Sequence, residues 1–432
     1  MKGTRFLPSR RVRFCSAILL CSFGCARASA QTPTPLTWDQ VRQHFEQDNP
    51  TLLAGQLNIS ESKAEEITAD LRPNPGLTIS MDGTQIAPYD GVWEPLAGAM
   101  EVAAFSYLHE RDHKRELRLE SAQEGTSIAV SAQADLERNL LFNLRGAFVG
   151  ALEAKAVLKL AQEDLDYWDQ VLKVSRDRFD SGDLAQVDLD RLELQRAQFE
   201  SDVQTAEVNL RTAKIQLLMM LNDRTPVDQF DVTGDFDFSD QLGTLDEFHQ
   251  VALDTRPDLR AAMESVVQAK TNHELAVANG STDPTFSAWY SYNPSFNNPY
   301  AHQTLGASVS IPLRFFDRNQ GEKLRTQLDI DRNQRLLDAA QAQVFSDVDS
   351  AYAMVNSNLI LLRPYKAKYL DQAVRVRETV RFAYERGGAS LLDFLNAESD
   401  YRSIQLSYLN LIGDYLTAAA QLNMAVGREV IQ

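Results

Sequence analysis

The segment His109-Glu110-Arg111-Asp112-His113 has residue types and spacing that match an enzyme motif. On a helix, the pattern His-Glu-x-x-His places two imidazoles on one face as zinc ligands and leaves the glutamate as a general base. A zinc hydrolase also needs a third protein ligand and a cleft, and the other histidines, at 44, 249, 273 and 302, lack metal-ligand spacing. There is also no phosphate loop or nucleophile elbow. We interpret the match as chance, and we predict no enzyme activity, metal site or cofactor.

Composition narrows the class of protein. The chain has 432 residues, 44% of them hydrophobic, and a formal charge of −17 from 43 basic and 60 acidic residues. Residues 31–432 contain no run of about 18 uncharged apolar residues, which argues against a polytopic helical membrane protein. The acidity argues against a nucleic-acid partner, because phosphate binding needs clustered Lys and Arg. The apolar content argues against disorder, and three Cys are too few for a disulfide scaffold.

Residues 1–30 have the features of a secretory signal peptide. Five basic residues precede residue 14, Phe14 to Phe23 is a short apolar stretch, and Ala28-Ser29-Ala30 fits a small-residue cleavage site. All three cysteines, at 15, 21 and 25, lie in this leader, so cleavage leaves a chain without thiol or disulfide chemistry. Lipidation at Cys21 or Cys25 is an alternative, although the residues before them match a lipoprotein cleavage site poorly.

The rest of the sequence contains an internal duplication. The stretch 178–188 is echoed by 383–393 at an offset of 205 residues, which pairs Gly182 with Gly387. A second echo, at an offset of 207, pairs Asn49-Pro50 with Arg256-Pro257. Such repeats indicate copies of one supersecondary unit. We therefore predict two halves, 31–222 and 243–432, joined by an acidic connector, 223–242, which we interpret as a solvated linker.

Each half contains a stretch in which apolar and polar residues alternate. The apolar positions are Leu77, Ile79 and Met81 in the first half and Leu305, Ala307, Val309 and Ile311 in the second. Alternation with period two indicates strands with one apolar and one polar face. With partner strands at 100–108 and 285–292, hairpins are predicted at about 76–108 and 285–313. Four strands cannot close a barrel by themselves.

After each hairpin the apolar residues recur at alternating steps of four and three, the heptad seam of packed helices. The stretches between Pro95 and Pro226 and after Pro364 contain no proline, which suits very long helices. We predict such helices at about 111–180, 184–222, 318–386 and 389–427. The first would be about 100 Å long. Gly182 and Gly387 are expected to end helices in left-handed geometry, with Asp183 and Ser390 as capping candidates for the next ones.

An export signal, two similar halves, two hairpins and paired long helices together resemble the TolC-like outer-membrane efflux proteins. Two stretches are most specific: 310–322, which resembles the strand-to-helix junction of the branch paired with heavy-metal pumps, and the Phe/Tyr-x-x-Gly turns at 179–182 and 384–387. The resemblance implies a mainly α-helical fold with a small membrane β-barrel part. Three chains would each give four strands to a twelve-stranded barrel, and their helices would continue as a tunnel across the periplasm.

The resemblance also assigns site residues. The two tip turns would contact a periplasmic adaptor, and the candidates are Phe179, Gly182, Leu184, Tyr384, Gly387 and Leu391. Asp393 occupies the position of the first of two aperture acids, with Asp188 as its counterpart in the first half. The second position is Asn396, which makes a two-ring gate doubtful. In a trimer Asp393 would place three carboxylates near the axis, whereas the alternative is a solvated acid favoured by the helix dipole.

The alternating apolar positions 77, 79, 81, 305, 307, 309 and 311 would face lipid. We therefore expect a passive homotrimeric exit duct in the outer membrane of a Gram-negative-type bacterium, working with an inner-membrane pump and a periplasmic adaptor. The junction motif leans toward heavy-metal cations as the substrate. A periplasmic coiled-coil structural protein without a pore is the alternative, and a zinc hydrolase is the third hypothesis.

Overall fold

The computed structural model describes residues 34–294 and 300–431. The predicted leader, with its cleavage and lipidation sites, lies outside these residues. Among the described residues, no helix has both the length and the apolarity that crossing a membrane requires.

The two halves repeat one order of elements. The first half contains α1 (Trp38–Asp48), α2 (Pro50–Asp70), β1 (Gly76–Asp82), β2 (Met100–Leu108), α3 (Lys114–Asp180) and α4 (Gln186–Met220). The second half contains α5 (Leu245–Thr255), α6 (Pro257–Ala278), β3 (Thr285–Tyr292), β4 (Gln303–Ser310), α7 (Gln320–Pro364), α8 (Leu370–Glu385) and α9 (Leu391–Val426). Pro50 and Pro257 both occupy the first turn of their helices, where a missing N–H costs nothing. The fold class predicted from the sequence is confirmed.

The four strands form one antiparallel sheet in the order β1-β2-β3-β4. The register sets Ile79 opposite Ala103, Ala103 opposite Tyr290, and Tyr290 opposite Leu305. Residues directly opposite one another in an antiparallel sheet point to the same face. The bounds of β2 and β3 coincide with the predicted ones.

The helices form two rows that share α3, which at 67 residues is about 100 Å long. In the upper row, nearest the sheet, α2 packs on α3, α3 on α6, and α6 on α7. In the lower row, α4 packs on α3, α3 on α9, and α9 on α8; α9 also packs on α7, so α7 as well as α3 takes part in both rows. Three buried apolar clusters lie along these rows, and the lowest surrounds Trp168, Leu192 and Phe394. Seam residues predicted from the heptads of the first half, such as Leu144, Trp168 and Leu192, are among these buried side chains.

The helix predicted over 318–386 is interrupted. Its first part ends at Pro364, a single turn of π-helix covers Tyr365–Tyr369, and α8 follows without a loop. Proline has no N–H to donate to the preceding turn, so the backbone hydrogen bonds change register there. Pro364 is the sequence signal for this interruption, and the helix predicted over 318–386 ran through it.

The connector between the halves is not simply solvated. Phe230 and Val232 are buried against the first half, and Leu36 pairs with Val232 in a short parallel bridge. Its acids pair with basic side chains of the long helices: Asp231 with Lys155 at 2.6 Å and Lys214 at 3.1 Å, Asp228 with Arg211 at 3.0 Å, Asp237 with Lys366 at 2.8 Å, and Asp240 with Arg363 at 2.6 Å. The connector therefore contacts the helices at mid-height, although Asp228, Asp237 and Asp240 are also exposed to solvent.

Candidate functional site

The two faces of the sheet differ sharply in chemistry. The register brings together Leu77, Ile79, Met81, Leu305, Ala307 and Val309 on one face with Phe105, Phe286 and Tyr290, and these side chains are exposed in the single chain. Ile311 lies one residue beyond the end of β4. The opposite face carries mainly Ser and Thr on β1, β3 and β4, but Val102 and Ala104 on β2. It also carries Trp289, whose indole lies over Gly306 so closely that a Cβ atom there would be 2.3 Å from the ring. One apolar and one polar face is the pattern of a strand between lipid and water.

The two tip turns have the same backbone geometry. Gly182 has a φ of +84° and Gly387 a φ of +76°. In both turns a Schellman pair of hydrogen bonds closes the helix: Asp183 N–H to Arg178 O at 2.8 Å and Gly182 N–H to Phe179 O at 2.9 Å in the first, and their equivalents 205 residues later at 2.8 and 3.0 Å. The predicted left-handed ends are confirmed. The repeat therefore holds at the level of single hydrogen bonds.

The caps that follow the two turns differ. Ser390 begins α9 as predicted: its hydroxyl accepts from the Asp393 N–H at 3.1 Å, while its own N–H and O–H donate to the Asp393 carboxylate at 3.1 and 2.7 Å. The prediction for Asp183 was wrong, because α4 begins at Gln186 and its capping position is Ala185, which has no polar side chain.

The tip candidates divide between the core and the surface. Tyr384 and Leu391 are buried in the lowest apolar cluster, where the Tyr384 ring stacks on Phe394 with centroids 4.9 Å apart. Phe179 and Leu184 are half-buried at the margin of that cluster, and Gly182 and Gly387 are exposed. The two glycines and the half-buried Phe179 and Leu184 are therefore accessible at the tip. Tyr384 and Leu391 are not accessible, and they support the turns from inside the cluster.

The aperture candidates lie near the same turns. Asp393 and Asn396 are exposed on the first turns of α9, and Asp188 is half-buried on the first turn of α4, 3.8 Å from Arg191. The hydrogen bonds from Ser390 hold the pKa of Asp393 below its usual value. Asp393 is therefore an ionised, exposed carboxylate that also caps its helix, so a structural and an electrostatic role are compatible.

A polar layer, which sequence reasoning missed, lies next to the tip cluster. It consists of Asp164 and Tyr167 on α3, Asp202 on α4, Arg377 on α8, and Glu398, Tyr401 and Arg402 on α9. Tyr167 donates a hydrogen bond of 2.8 Å to Glu398, Arg402 pairs with Asp202, and the Arg377 guanidinium lies 3.9 Å from the centre of the Tyr401 ring. Burial raises the pKa of Glu398 and raises that of Asp164 to about 6. The layer joins the helices of the first half to those of the second.

The His-Glu-x-x-His segment forms no metal site. His109 follows β2, Asp112 and His113 have positive φ values, and α3 begins only at Lys114, so the two imidazoles do not share a helical face. Glu110 instead binds the Arg118 guanidinium at 2.5 and 3.0 Å. No group of three or more side chains suited to a metal ion occurs in the described ranges.

The same junction is fixed by a buried ion pair. Lys114, which is buried, lies 2.6 Å from the Asp283 carboxylate, and Asp283 also accepts the Arg111 N–H at 3.0 Å. This contact joins the β2–α3 connection to the loop before β3. The charged run after β2 thus has a structural role where strand gives way to helix.

A four-stranded sheet continued by helical rows about 100 Å long is the fold of solved outer-membrane channels. Solved channels share this architecture: CusC superposes with a TM-score of 0.77 at 16% identity, covering 92% of this chain and 94% of CusC. MtrE of Neisseria gonorrhoeae in its open state gives 0.73 at 17% identity, covering 93% and 95%, and VceC of Vibrio cholerae gives 0.73 at 15%, covering 90% and 96%.

Sequence comparison agrees with the fold. Residues 249–428 match the family model of the outer membrane efflux proteins. The cobalt-zinc-cadmium resistance protein CzcC of Cupriavidus metallidurans is 21% identical over 407 residues, covering 91% of this chain and 90% of CzcC. The match over residues 249–428 and the similarity to CzcC both agree with the resemblance that the sequence predicted.

Proposed function

We propose that this chain is the outer-membrane subunit of a tripartite efflux system, a passive duct for substrates delivered by an inner-membrane pump through a periplasmic adaptor. The observation that carries the proposal is the position of the open edges. The strand β1 and the helix α2 that precedes it lie at one end of the sheet and of the upper row, and β4 and the following α7 lie at the other. At each end, the open edge of the sheet and the open edge of the helix row therefore lie on the same side of the chain.

Both edges carry exposed apolar side chains. They are Leu53, Leu57, Ile67 and Leu71 on α2, and Leu324, Leu328 and Leu336 on α7. An open strand edge is not tolerated in lipid, because its backbone N–H and C=O groups have no partners there. Seating the β4–α7 edge of one copy on the β1–α2 edge of the next satisfies both needs. Three copies give a closed barrel of twelve strands, an even number as in bacterial barrels.

The trimer can be tested by charging its edges. Leu57→Glu and Leu328→Glu each place a carboxylate at an exposed edge position, so the single chain should still fold while heat-modifiable trimers and planar-bilayer channels are lost. Ile86→Glu is the matched control, since Ile86 is also exposed but lies in the loop after β1. A wild-type protein that is a soluble monomer without channel activity would favour the periplasmic structural protein instead.

At the periplasmic end, Phe179, Gly182, Leu184 and Gly387 would meet the adaptor, supported by the buried Tyr384 and Leu391. Asp393, with Asp188 and Asn396 nearby, would line the aperture and attract cations. Replacing Asp393 with Ala should weaken divalent-cation block of single channels. Asn396→Ala is the control, because it removes a neutral side chain from the same part of α9 as Asp393. Unchanged block in Asp393→Ala would remove the aperture role.

We further propose heavy-metal cations as the substrate class. The support is the similarity to CzcC, whose name attaches it to cobalt, zinc and cadmium resistance, over nearly the whole chain. Deleting the gene should lower tolerance to these metals, and the wild-type gene should restore it. Restoration by the edge-charged Leu57→Glu variant would contradict a duct role.

A further inference from the structure

The segment that follows β4 exposes an unusual amount of apolar surface. Ile311 is 54% exposed, Leu313 71%, Phe315 69% and Phe316 94%. We name residues 311–318 the junction segment. Four large apolar side chains within six residues form a projecting patch that the described chain does not cover.

The junction segment continues the lipid-type face of the sheet. Leu305, Ala307 and Val309 lie on that face, and Ile311, Leu313 and Phe315 extend the same period-two series beyond the strand. The Phe315 N–H then bonds Leu313 O at 3.1 Å, which turns the chain toward α7. Side chains of this face stand perpendicular to the direction of strand pairing, so a neighbouring copy seated on the β4 edge does not cover them.

Charged groups flank the aromatic residues. Arg318, two residues after Phe316, is exposed, whereas the Arg314 Nε is buried and its charge acts on Asp283 inside the chain. Asp317 lies between Phe316 and Arg318, but its carboxylate accepts the Asn319 N–H at 2.8 Å and so serves the start of α7. Exposed aromatic rings beside an exposed guanidinium group at the end of a lipid-facing strand match the boundary between hydrocarbon and headgroups, where rings lie in the acyl region and a cationic tip reaches phosphate.

The corresponding segment of the first half has the opposite character. Residues 109–113 after β2 are polar or charged. The Lys114–Asp283 pair joins the end of this segment to the loop before β3. The duplication thus has one polar and one apolar strand-to-helix junction. A need for solubility or for packing within the chain would apply to both, so it does not account for the difference.

We propose that the junction segment is an interfacial anchor that inserts Phe315 and Phe316 into the periplasmic leaflet of the outer membrane, with a phospholipid headgroup at Arg318. This inference rests on the proposed function, because it takes the apolar face of the sheet as the lipid-facing surface. The anchor would fix the depth at which the barrel gives way to the periplasmic helices.

Single-cysteine spin labelling tests the anchor cleanly, since residues after 30 contain no cysteine. Phe316→Cys carries a nitroxide in proteoliposomes of phosphatidylethanolamine and phosphatidylglycerol, and collision rates with oxygen and with a water-soluble nickel complex are measured. Leu305→Cys reports the middle of the lipid-type face, and Arg111→Cys, exposed at the polar junction, is the matched control. The expected ratio of oxygen to nickel collisions at 316 is close to that at 305 and well above that at 111.

Two results at position 316 would overturn the anchor. Nickel access equal to that at 111 would place the side chain in water, and low access to both reagents would bury it against another copy of the chain. The label at position 305 distinguishes failure of the anchor proposal from failure of the proposed function. If the label at 305 also lies in water, the lipid-facing sheet itself is wrong, whereas a lipid reading at 305 leaves the duct intact.

Discussion

Replacing Asp164 with Asn should stabilise the lower helices at neutral pH, although it removes a charge next to an arginine. The Asp164 side chain is only 13% exposed, and one of its carboxylate oxygens has no hydrogen-bond partner among the described residues. The Arg402 Nε lies 3.8 Å away, and Arg402 is already paired with Asp202. Burial therefore outweighs the attraction of Arg402 and Arg377, and it raises the pKa of Asp164 to about 6.

The sign of the pH dependence follows from proton binding. An unfolded Asp has a pKa of about 3.9, so between about pH 4 and pH 6 the folded state binds more protons than the unfolded state. Stability from this group is fully present below pH 4 and is lost as pH rises to 6. Two pKa units correspond to about 3 kcal/mol, and water access and relaxation reduce this to about 1–2 kcal/mol. Asn, which does not ionise, should recover that amount at pH 7.5.

The assay is the free energy of unfolding of wild type and Asp164→Asn, measured by denaturant from pH 4.5 to 7.5 and located by hydrogen exchange around Tyr167. The difference between the two proteins should be small at the acid end and should grow toward neutral pH. Asp166→Asn is the matched control, because it makes the same charge change two residues away at an exposed position. A variant that is less stable than wild type at pH 7.5 would refute the reasoning and make Asp164 a net-stabilising partner of Arg402.

Three further outcomes follow from the geometry. Gly387→Ala should cost about 1–2 kcal/mol in unfolding free energy, because its φ of +76° is unfavourable for a residue with a Cβ atom. Gly388→Ala is the control and should cost less, because its Cβ atom would lie 3.5 Å from Ala383 O, an ordinary contact distance. Lys114→Met should destabilise the protein by about 2–4 kcal/mol in thermal unfolding by leaving the Asp283 carboxylate without its cation, and the double variant Lys114→Met/Asp283→Leu should regain much of the loss. Purified wild type and Glu110→Gln should both lack stoichiometric zinc by elemental analysis; bound zinc together with hydrolysis lost in Glu110→Gln would restore the enzyme hypothesis.

The parts of the fold that depend on local periodicity could be predicted from the sequence. The strands and the long helices each repeat a period over many residues, so their type is fixed without knowledge of distant contacts. The tip turns were also accessible, because Gly182 and Gly387 recur at one offset and left-handed helix ends favour glycine. In each case the signal lies within a short window of sequence.

The features that prediction missed depend on contacts between distant residues. The start of α3 is set by the Lys114–Asp283 pair, whose partners are 169 residues apart, and this start removes His109 and His113 from a common helical face. The polar layer was missed because Asp164 and Glu398 flank a seam, where charged side chains usually face water. Their burial follows from the packing of α3 on α9, which neither helix reveals alone.

The duplication explains why the sheet and the helices can close together. In the two copies of the unit, the open strand edge and the open helix edge lie on the same side. A neighbouring chain can therefore pair with the strand and pack on the helix at the same edge. The copies differ where the surroundings differ. Near the sheet, one junction is polar and internally paired while the other is apolar and exposed; at the tip, Ser390 and Asp393 cap one helix while Ala185 leaves its counterpart uncapped. Because an uncapped first turn frays more readily, the start of α4 is the less rigid side of the tip.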